Sequence, residues 1–209
     1  MYTGIVQDCL PIKHIERQEG LMTFVVDMAG SIGEELETGA SVAINGVCFT
    51  VTTIIETSVS FDAIRETMEL SNIGELEVGS LVNVERSAKQ GVEVGGHIMS
   101  GHIIDTAEVQ VVEESPNNKR ITFNGNPDWL KYVFNKGFLG INGCSLTIAD
   151  LNREASTFSV NLIPETLERT NFSLLSQGDR VNIEIENQTQ VIVDTVERVL
   201  EDRFAQATG

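Results

Sequence analysis

The chain has 209 residues, of which 14 are basic and 31 acidic, giving a formal net charge of −17 at neutral pH. That balance argues against nucleic acid or an anionic membrane as partner, because both demand a basic surface. With 41% apolar residues the chain can bury one or two real cores. No basic-then-apolar leader and no run of 18 apolar residues is present, so neither a signal peptide nor a membrane span is expected.

Taken in chain order, the pattern is one of short strands broken by Gly, Asn and Ser. Residues 31–36, ending near Gly39, read as a short helical interruption. Residues 42–55 are rich in Val, Ile, Thr and Phe, with Asn45-Gly46 early in them. Residues 59–63, 81–85, 107–113, 119–123, 158–163 and 180–186 have the same character. Asn126-Pro127 supplies a cap and a first-turn proline for a helix through Trp129, Leu130, Val133 and Phe134, which Gly137 stops. After Thr189 apolar residues fall at Ile192, Val196, Val199, Leu200 and Phe204, with Asp194, Glu197, Arg198, Glu201 and Asp202 on the other side, which predicts an amphipathic helix. Such strand spacing without long helices predicts an all-β protein built on a small closed Greek-key barrel.

The chain also repeats itself. Ile-Asn-Gly-Val-Cys-Phe-Thr-Val at residues 44–51 returns as Ile-Asn-Gly-Cys-Ser-Leu-Thr-Ile at 141–148, a spacing of 97. The opening Met-Tyr-Thr-Gly-Ile-Val returns at 98–103 with the same spacing. Glu66-Thr67, Asn72 and Val82-Asn83 return 99 residues on as Glu165-Thr166, Asn171 and Val181-Asn182. The polar stretch 152–156 is the expected site of the two-residue insertion. Two copies of about 95 residues are too few for a solenoid and have the size of small tandem domains. The expected division is 1–96, 97–187 and a helix with tail at 188–209. That last helix has no counterpart in the first copy; it either packs back on its own barrel or associates with copies of itself, and its lone place after two finished barrels favours the second.

Three differences between the copies are candidates for chemistry. Ile5 is matched by His102, which follows Gly95-Gly96-His97 and Gly101. Such a run is either a polar turn or a place where backbone approaches a flat ligand beside an imidazole. Cys48 is matched by Ser145, and each shares a strand face with a threonine, Thr50 or Thr147. These are small residues at a barrel corner or a hydrogen-bonding and nucleophilic platform. Asp-Ala-Ile-Arg-Glu-Thr at 62–67 is matched by Asn-Leu-Ile-Pro-Glu-Thr at 161–166, where the Glu-Thr pair also suits a helix start. Cys9, Cys48 and Cys144 show no metal or redox spacing, so reduced thiols in a cytoplasmic protein are expected. No P-loop, dinucleotide fingerprint or metal-ligand spacing appears.

Several blocks together resemble a known family. The opening six residues, Asn45-Gly46 with Cys48, Gly95-Gly96-His97-Ile98-Met99-Ser100-Gly101-His102, Lys136-Gly137-Phe138, Ser145-Leu146-Thr147 and Ile163-Pro164-Glu165-Thr166-Leu167-Glu168-Arg169-Thr170 resemble the alpha-chain type of riboflavin synthase, of the lumazine-binding tandem-barrel family. The resemblance implies two six-stranded Greek-key barrels plus a C-terminal helix that makes a homotrimer. It implies dismutation of two molecules of 6,7-dimethyl-8-ribityllumazine to riboflavin and 5-amino-6-(ribitylamino)uracil, with no cofactor and no metal. Each active site would lie between the first barrel of one subunit and the second barrel of a neighbour, and association with lumazine synthase is a further implication.

Carried over by motif, Gly4, Ile5, Val6, Cys48, Phe49, Thr50, Asp62, Ala63, Ile64, Arg65, Glu66 and Thr67 would hold lumazine in the first barrel. Gly101, His102, Ile103, Lys136, Ser145, Leu146, Thr147, Asn161, Leu162, Ile163, Pro164, Glu165 and Thr166 would do so in the second. Ser41, Cys48, His102 and Thr147 would be the polar groups at the reacting rings. His102 is the candidate for proton transfer, and Cys48 or Ser41 for polarising the acceptor. The chain departs from the family pattern with Tyr2 for phenylalanine, Val47 for a second cysteine, and Asn142 and Glu186 for aspartates. The competing implication is a non-catalytic lumazine or flavin carrier, an antenna protein in light emission. Such carriers typically lose the Gly-Gly-His run and the last helix, and this chain has both.

Overall fold

The structure, a computed structural model, describes residues 1–89, 91 and 93–208, without the side chains of 206–208. The first half contains β1 (Asp8–Gln18), β2 (Leu21–Asp27), β3 (Ser41–Ile44), β4 (Val47–Ile55), β5 (Ser58–Ile64), α1 (Arg65–Leu70) and β6 (Leu81–Arg86). The second contains β7 (Asp105–Ser115), β8 (Asn118–Asn124), α2 (Pro127–Leu130), β9 (Phe138–Ile141), β10 (Cys144–Asn152), β11 (Thr157–Leu162), α3 (Pro164–Arg169) and β12 (Arg180–Glu184), and α4 (Asn187–Thr208) follows. Each set of six strands closes into an antiparallel barrel. The order β1-β2-β5-β4-β3-β6 in the first recurs as β7-β8-β11-β10-β9-β12 in the second. The order 2-5-4-3 within it is a Greek key.

Alternation makes the cores. Met22, Phe24 and Val26 of β2 point inward between half-buried neighbours, and Phe158, Val160 and Leu162 of β11 are likewise buried, with Asn161 between the last two exposed. Phe24 meets the edge of Phe49 at 5.1 Å and stacks on Phe61 at 5.5 Å. In the second barrel Phe123 stacks on Phe158 at 5.2 Å, and Trp129 closes on its edge. The hairpin β4–β5 turns through two residues and β10–β11 through four, which accounts for the two-residue insertion.

Two expected helices are shorter than the sequence suggests. Residues 31–36 make only a 3-10 turn at Gly30–Ile32. The segment after Asn126 ends at Leu130, because the Arg153 guanidinium takes the Leu130 and Val133 carbonyls at 2.6 and 2.8 Å. Those carbonyls are then satisfied without further helix. Strands β1, β2 and β9 escape the sequence reading. β1 carries Pro11 and a bulge between Ile12 and His14, which together spoil its alternation.

The barrels join through six buried asparagines, three from each half at repeat-related positions: Asn45, Asn72 and Asn83 with Asn142, Asn171 and Asn182. Asn83 Nδ2 donates to Asn142 O at 2.9 Å, and Asn182 Nδ2 donates to Asn45 O at 2.9 Å. Asn72 N donates to Asn182 Oδ1 at 2.7 Å, and Asn171 N donates to Asn83 Oδ1 at 2.8 Å. The hairpin turns Asn45-Gly46 and Asn142-Gly143 both have positive φ at both residues, the turn type that Asn-Gly favours. They meet tip to tip across the approximate two-fold axis. Asn142, out of pattern as a sequence feature, is the structural mate of Asn45. Its Oδ1 accepts from Asn182 N and Asn72 Nδ2, a task for an acceptor oxygen that aspartate could also perform. Outside this core the symmetry breaks. Glu75 and Arg180 pair across the junction, where the repeat-related positions are Leu174 and Leu81.

The segments that lead into the two halves are exchanged. Tyr2 and Met99 pair as a short antiparallel bridge on the axis, each N–H donating to the other carbonyl at 2.8 and 2.9 Å. From there the chain directions cross. Val6 is buried in the core of the second barrel, and Ile103 packs on the core of the first.

Candidate active site

A cavity of about 280 Å³ opens at the first barrel, lined by Val47, Cys48, Glu66, Thr67, Leu70, Ser71, Gly101, His102 and Ile103. Cys48 comes from β4, where small and polar residues alternate with Phe49 and Val51 of the core. Glu66 and Thr67 come from α1, which starts where β5 ends. The remaining wall is the leading segment of the second half. Gly101 O accepts from Cys48 N at 2.9 Å. The approach is so close that a Cβ on Gly101 would lie 2.6 Å from Cys48 Cβ, and φ there is +82°. Tyr2 OH, also on the axis, donates to Cys48 Sγ at 3.0 Å, and burial pushes that phenol far above its ordinary value. Thus His102 and Cys48, from opposite halves, face one space.

This corrects the expected grouping, in which each leading segment served its own barrel. Gly101, His102 and Ile103 stand with Cys48, while Gly4, Ile5 and Val6 stand with Ser145. Ser145 N donates to Gly4 O at 2.8 Å, and a Cβ on Gly4 would lie 2.5 Å from Ser145 Cβ. Ser41 on β3 pairs with Thr50 on β4, the strand that carries Val47 and Cys48 of the cavity wall, and lies outside the wall itself. Asp62 is exposed and accepts from the Thr23 hydroxyl at 2.6 Å, while Ala63 and Phe49 are core residues. Ile64 and Arg65 are exposed at the head of α1.

The second barrel repeats this arrangement with different occupants. Phe138 stands opposite Thr147, where the first barrel has Ser41 opposite Thr50. His97, absent from the residues carried over, lies against Ser145 with Nδ1 2.6 Å from Oγ and its ring stacked on Phe138 at 5.4 Å. Gly96 makes this possible, since a Cβ there would meet Thr3 O at 2.3 Å and Ser145 Cβ at 2.7 Å. Burial pushes the His97 imidazole below its ordinary value, against an opposing pull from Glu186. Its Nε2 is buried without a hydrogen-bond partner. The linker therefore covers Ser145 from within the same chain, whereas Cys48 keeps an open cavity. Glu165 is tied to Arg169 at 2.5 Å, where the first barrel has Leu70 in the position of Arg169. Ile163, Pro164 and Asn161 are exposed, Thr166 is half-buried, and Leu146 and Leu162 are core. Lys136 holds φ at +66° where the first copy has Gly39, a conformation that a lysine adopts only at a cost. The signal for His97 and Phe138 was present in the spacing: Phe138 lies 97 residues after Ser41, and His97 is in the same Gly-Gly-His run as His102.

Among the described residues no cluster of His, Cys, Asp or Glu could hold a metal ion, and no helix is long and apolar enough to cross a membrane.

Residues 3–87 and 100–186 each match the lumazine binding domain. The chain belongs to the lumazine-binding family. It is 50% identical to riboflavin synthase of Escherichia coli (strain K12) over 204 residues, 97% of this chain and 95% of that one. It is 40% identical to riboflavin synthase of Chlamydia pneumoniae, covering 96% of this chain and 97% of that one. Among solved structures it resembles LumP complexed with riboflavin, with a TM-score of 0.82 and 28% identity, over 90% of this chain and all of that one. LumP complexed with 6,7-dimethyl-8-(1'-D-ribityl) lumazine gives 0.81 and 27% over the same extents. Both matched stretches of this lumazine-binding chain begin on the exchanged segments, at Thr3 and Ser100.

Proposed function

We propose that the protein is a riboflavin synthase, dismutating two molecules of 6,7-dimethyl-8-ribityllumazine to riboflavin and 5-amino-6-(ribitylamino)uracil. The observation that carries this reading is the meeting of His102 and Cys48 at one open cavity, in a chain alike over nearly its full length to riboflavin synthases. One lumazine loses a proton from its 7-methyl group and becomes a carbon nucleophile. The other is attacked on a ring carbon, and four carbons pass between them. The cation-like ring makes that methyl acidic, so the His102 imidazole suffices as base. Cys48 or Ser41 polarises the acceptor, or adds to it transiently. Holding two rings in register supplies much of the remaining acceleration. Gly101, Ile103, Glu66 and Thr67 hold one ring; Ile5, Lys136, Ser145, Thr147, Ile163 and Thr166 hold the other. The balance of the reaction needs no oxidant or reductant, and the protein works in the cytoplasm.

The working pair of sites lies between chains of a homotrimer made through α4. Two observations support this. The helix is tied to its own barrel by its acidic side, Lys131 to Glu197 at 2.7 Å and Tyr132 OH to Asp194 at 2.6 Å. Its apolar side, Ile192, Val196, Val199 and Leu200, is left between 46% and 63% exposed. An apolar stripe of this kind is the seam of a helix bundle. Val196→Asp is expected to turn a three-chain species into single chains by sedimentation, and to lower turnover at least tenfold while each chain still binds lumazine. Association of the trimer with lumazine synthase would use its remaining surface.

The second reading, a lumazine or flavin carrier, is favoured by one observation, the His97 imidazole set against the Ser145 hydroxyl at 2.6 Å, which has no counterpart at Cys48. Incubating the purified protein with lumazine decides between them. The enzyme gives riboflavin absorbance with one equivalent of the pyrimidine product for each riboflavin; a carrier returns bound, fluorescent, unchanged lumazine.

A further inference from the structure

Two buried carboxylates lie where the halves exchange their leading segments. Glu184 on β12 and Glu85 on β6 are each 4% exposed and occupy repeat-related positions. Among the described residues neither forms an ion pair with a basic side chain. Their partners are loop donors. Glu184 accepts from Ser100 N at 2.5 Å, Ser100 Oγ at 2.8 Å and Gly101 N at 3.1 Å. Glu85 accepts from Thr3 N at 2.7 Å, Thr3 Oγ1 at 2.8 Å and Gly4 N at 3.0 Å. Both chains of bonds run one step further. His102 N donates to Ser100 Oγ at 3.2 Å, and Ile5 N donates to Thr3 Oγ1 at 3.3 Å. Burial raises the pKa of both carboxyls, with the loop bonds opposing it. A carboxylate kept this dry costs the fold unless the segment it holds is worth fixing.

Each segment is held by one barrel and used by the other. Gly101 takes its N–H bond from the second barrel and gives its carbonyl to Cys48 in the first. Gly4 takes its N–H bond from the first and gives its carbonyl to Ser145 in the second. We infer that Glu184 is the positioning residue for the cavity of the first barrel, setting His102 over Cys48 from across the barrel boundary, and that Glu85 does the same for the second site. Glu184 touches neither ring; it acts through Ser100, Gly101 and the backbone of His102. The inference rests on the reading of the His102–Cys48 cavity as the site of turnover.

Glu184→Gln and Glu85→Gln in the full chain test it by amide hydrogen exchange and steady-state kinetics. Glutamine keeps the shape but turns one acceptor into a donor facing Gly101 N–H or Gly4 N–H. Glu184→Gln is expected to speed exchange of the Cys48 amide at least tenfold and leave Ser145 within twofold. Glu85→Gln should do the reverse. Ser100→Ala and Thr3→Val, milder changes that cut the Oγ links, should give the same crossed pattern at smaller size. Turnover should fall at least tenfold in kcat for Glu184→Gln, with KM within threefold. Acceleration confined to the mutated residue's own barrel, or equal at both amides, overturns the inference, as does an unchanged kcat in both Glu184→Gln and Ser100→Ala. If the wild-type protein makes no riboflavin, the functional reading fails, while the exchange pattern still decides the positioning.

Discussion

Replacing His102 with glutamine lowers kcat by about a hundredfold or more, the usual contribution of a positioned proton-transfer group, while lumazine affinity stays within a few-fold. The residue is exposed at the cavity, and its backbone is fixed through Ser100 rather than through its ring. Glutamine therefore leaves the segment and the Gly101–Cys48 bond in place and removes only the imidazole. Stopped-flow turnover alongside equilibrium binding of lumazine separates the two quantities. Nearly full turnover with unchanged affinity would remove His102 from the proton transfer and leave ring alignment as the main source of rate.

Gly143→Ala destabilises the protein by about 2–5 kcal/mol, adding a left-handed penalty of about 1–2 to an overpacking cost of about 1–3. Gly143 sits at φ +79°, and a Cβ there would stand 2.7 Å from Gly46 N and 2.9 Å from Gly46 Cα. Both clashing atoms are backbone, in a turn pinned by buried asparagines, so neither side can yield cheaply. Gly79→Ala is the control: φ is +94°, but nothing lies within 4 Å. It should show the backbone cost alone. Urea unfolding of both variants measures the difference, and equal losses would mean that the meeting of the two turns contributes nothing.

Much of this architecture was legible in the residues. The repeat of Ile-Asn-Gly, the period-two runs and the amphipathic pattern after Thr189 gave tandem barrels and a last helix, because alternation and helical period report directly on which side is buried. The exchange of leading segments was not legible. Met1 to Val6 and Ile98 to Ile103 repeat each other, so either could dock on either barrel without altering the pattern. Only three-dimensional packing, with Val6 in one core and Ile103 on the other, decides between the two arrangements. His97 was missed for a related reason: it stands one residue before the stretch that repeats Met1 to Val6, so only its place in the Gly-Gly-His run marks it, with no repeat mate to compare. The helix after Asn126 was overestimated because Arg153, remote in sequence, captures its carbonyls. The asparagines were legible only as matches of the repeat, Asn45, Asn72 and Asn83 with Asn142, Asn171 and Asn182; their burial in one network between the barrels depends on a neighbour that a local window does not contain.

The exchanged segments also bear on how this protein can be recombined. Its halves look like modules, yet the borders of inheritance and the borders of chemistry do not coincide. A chimera that takes residues 98–187 from a relative imports a new wall for the native cavity at Cys48 and loses the native opening residues' own match at Ser145. Both pockets become hybrids from one crossover. Substitutions that accumulate in one half are thereby tried out in the pocket of the other, so the two halves are free to diverge only as a pair.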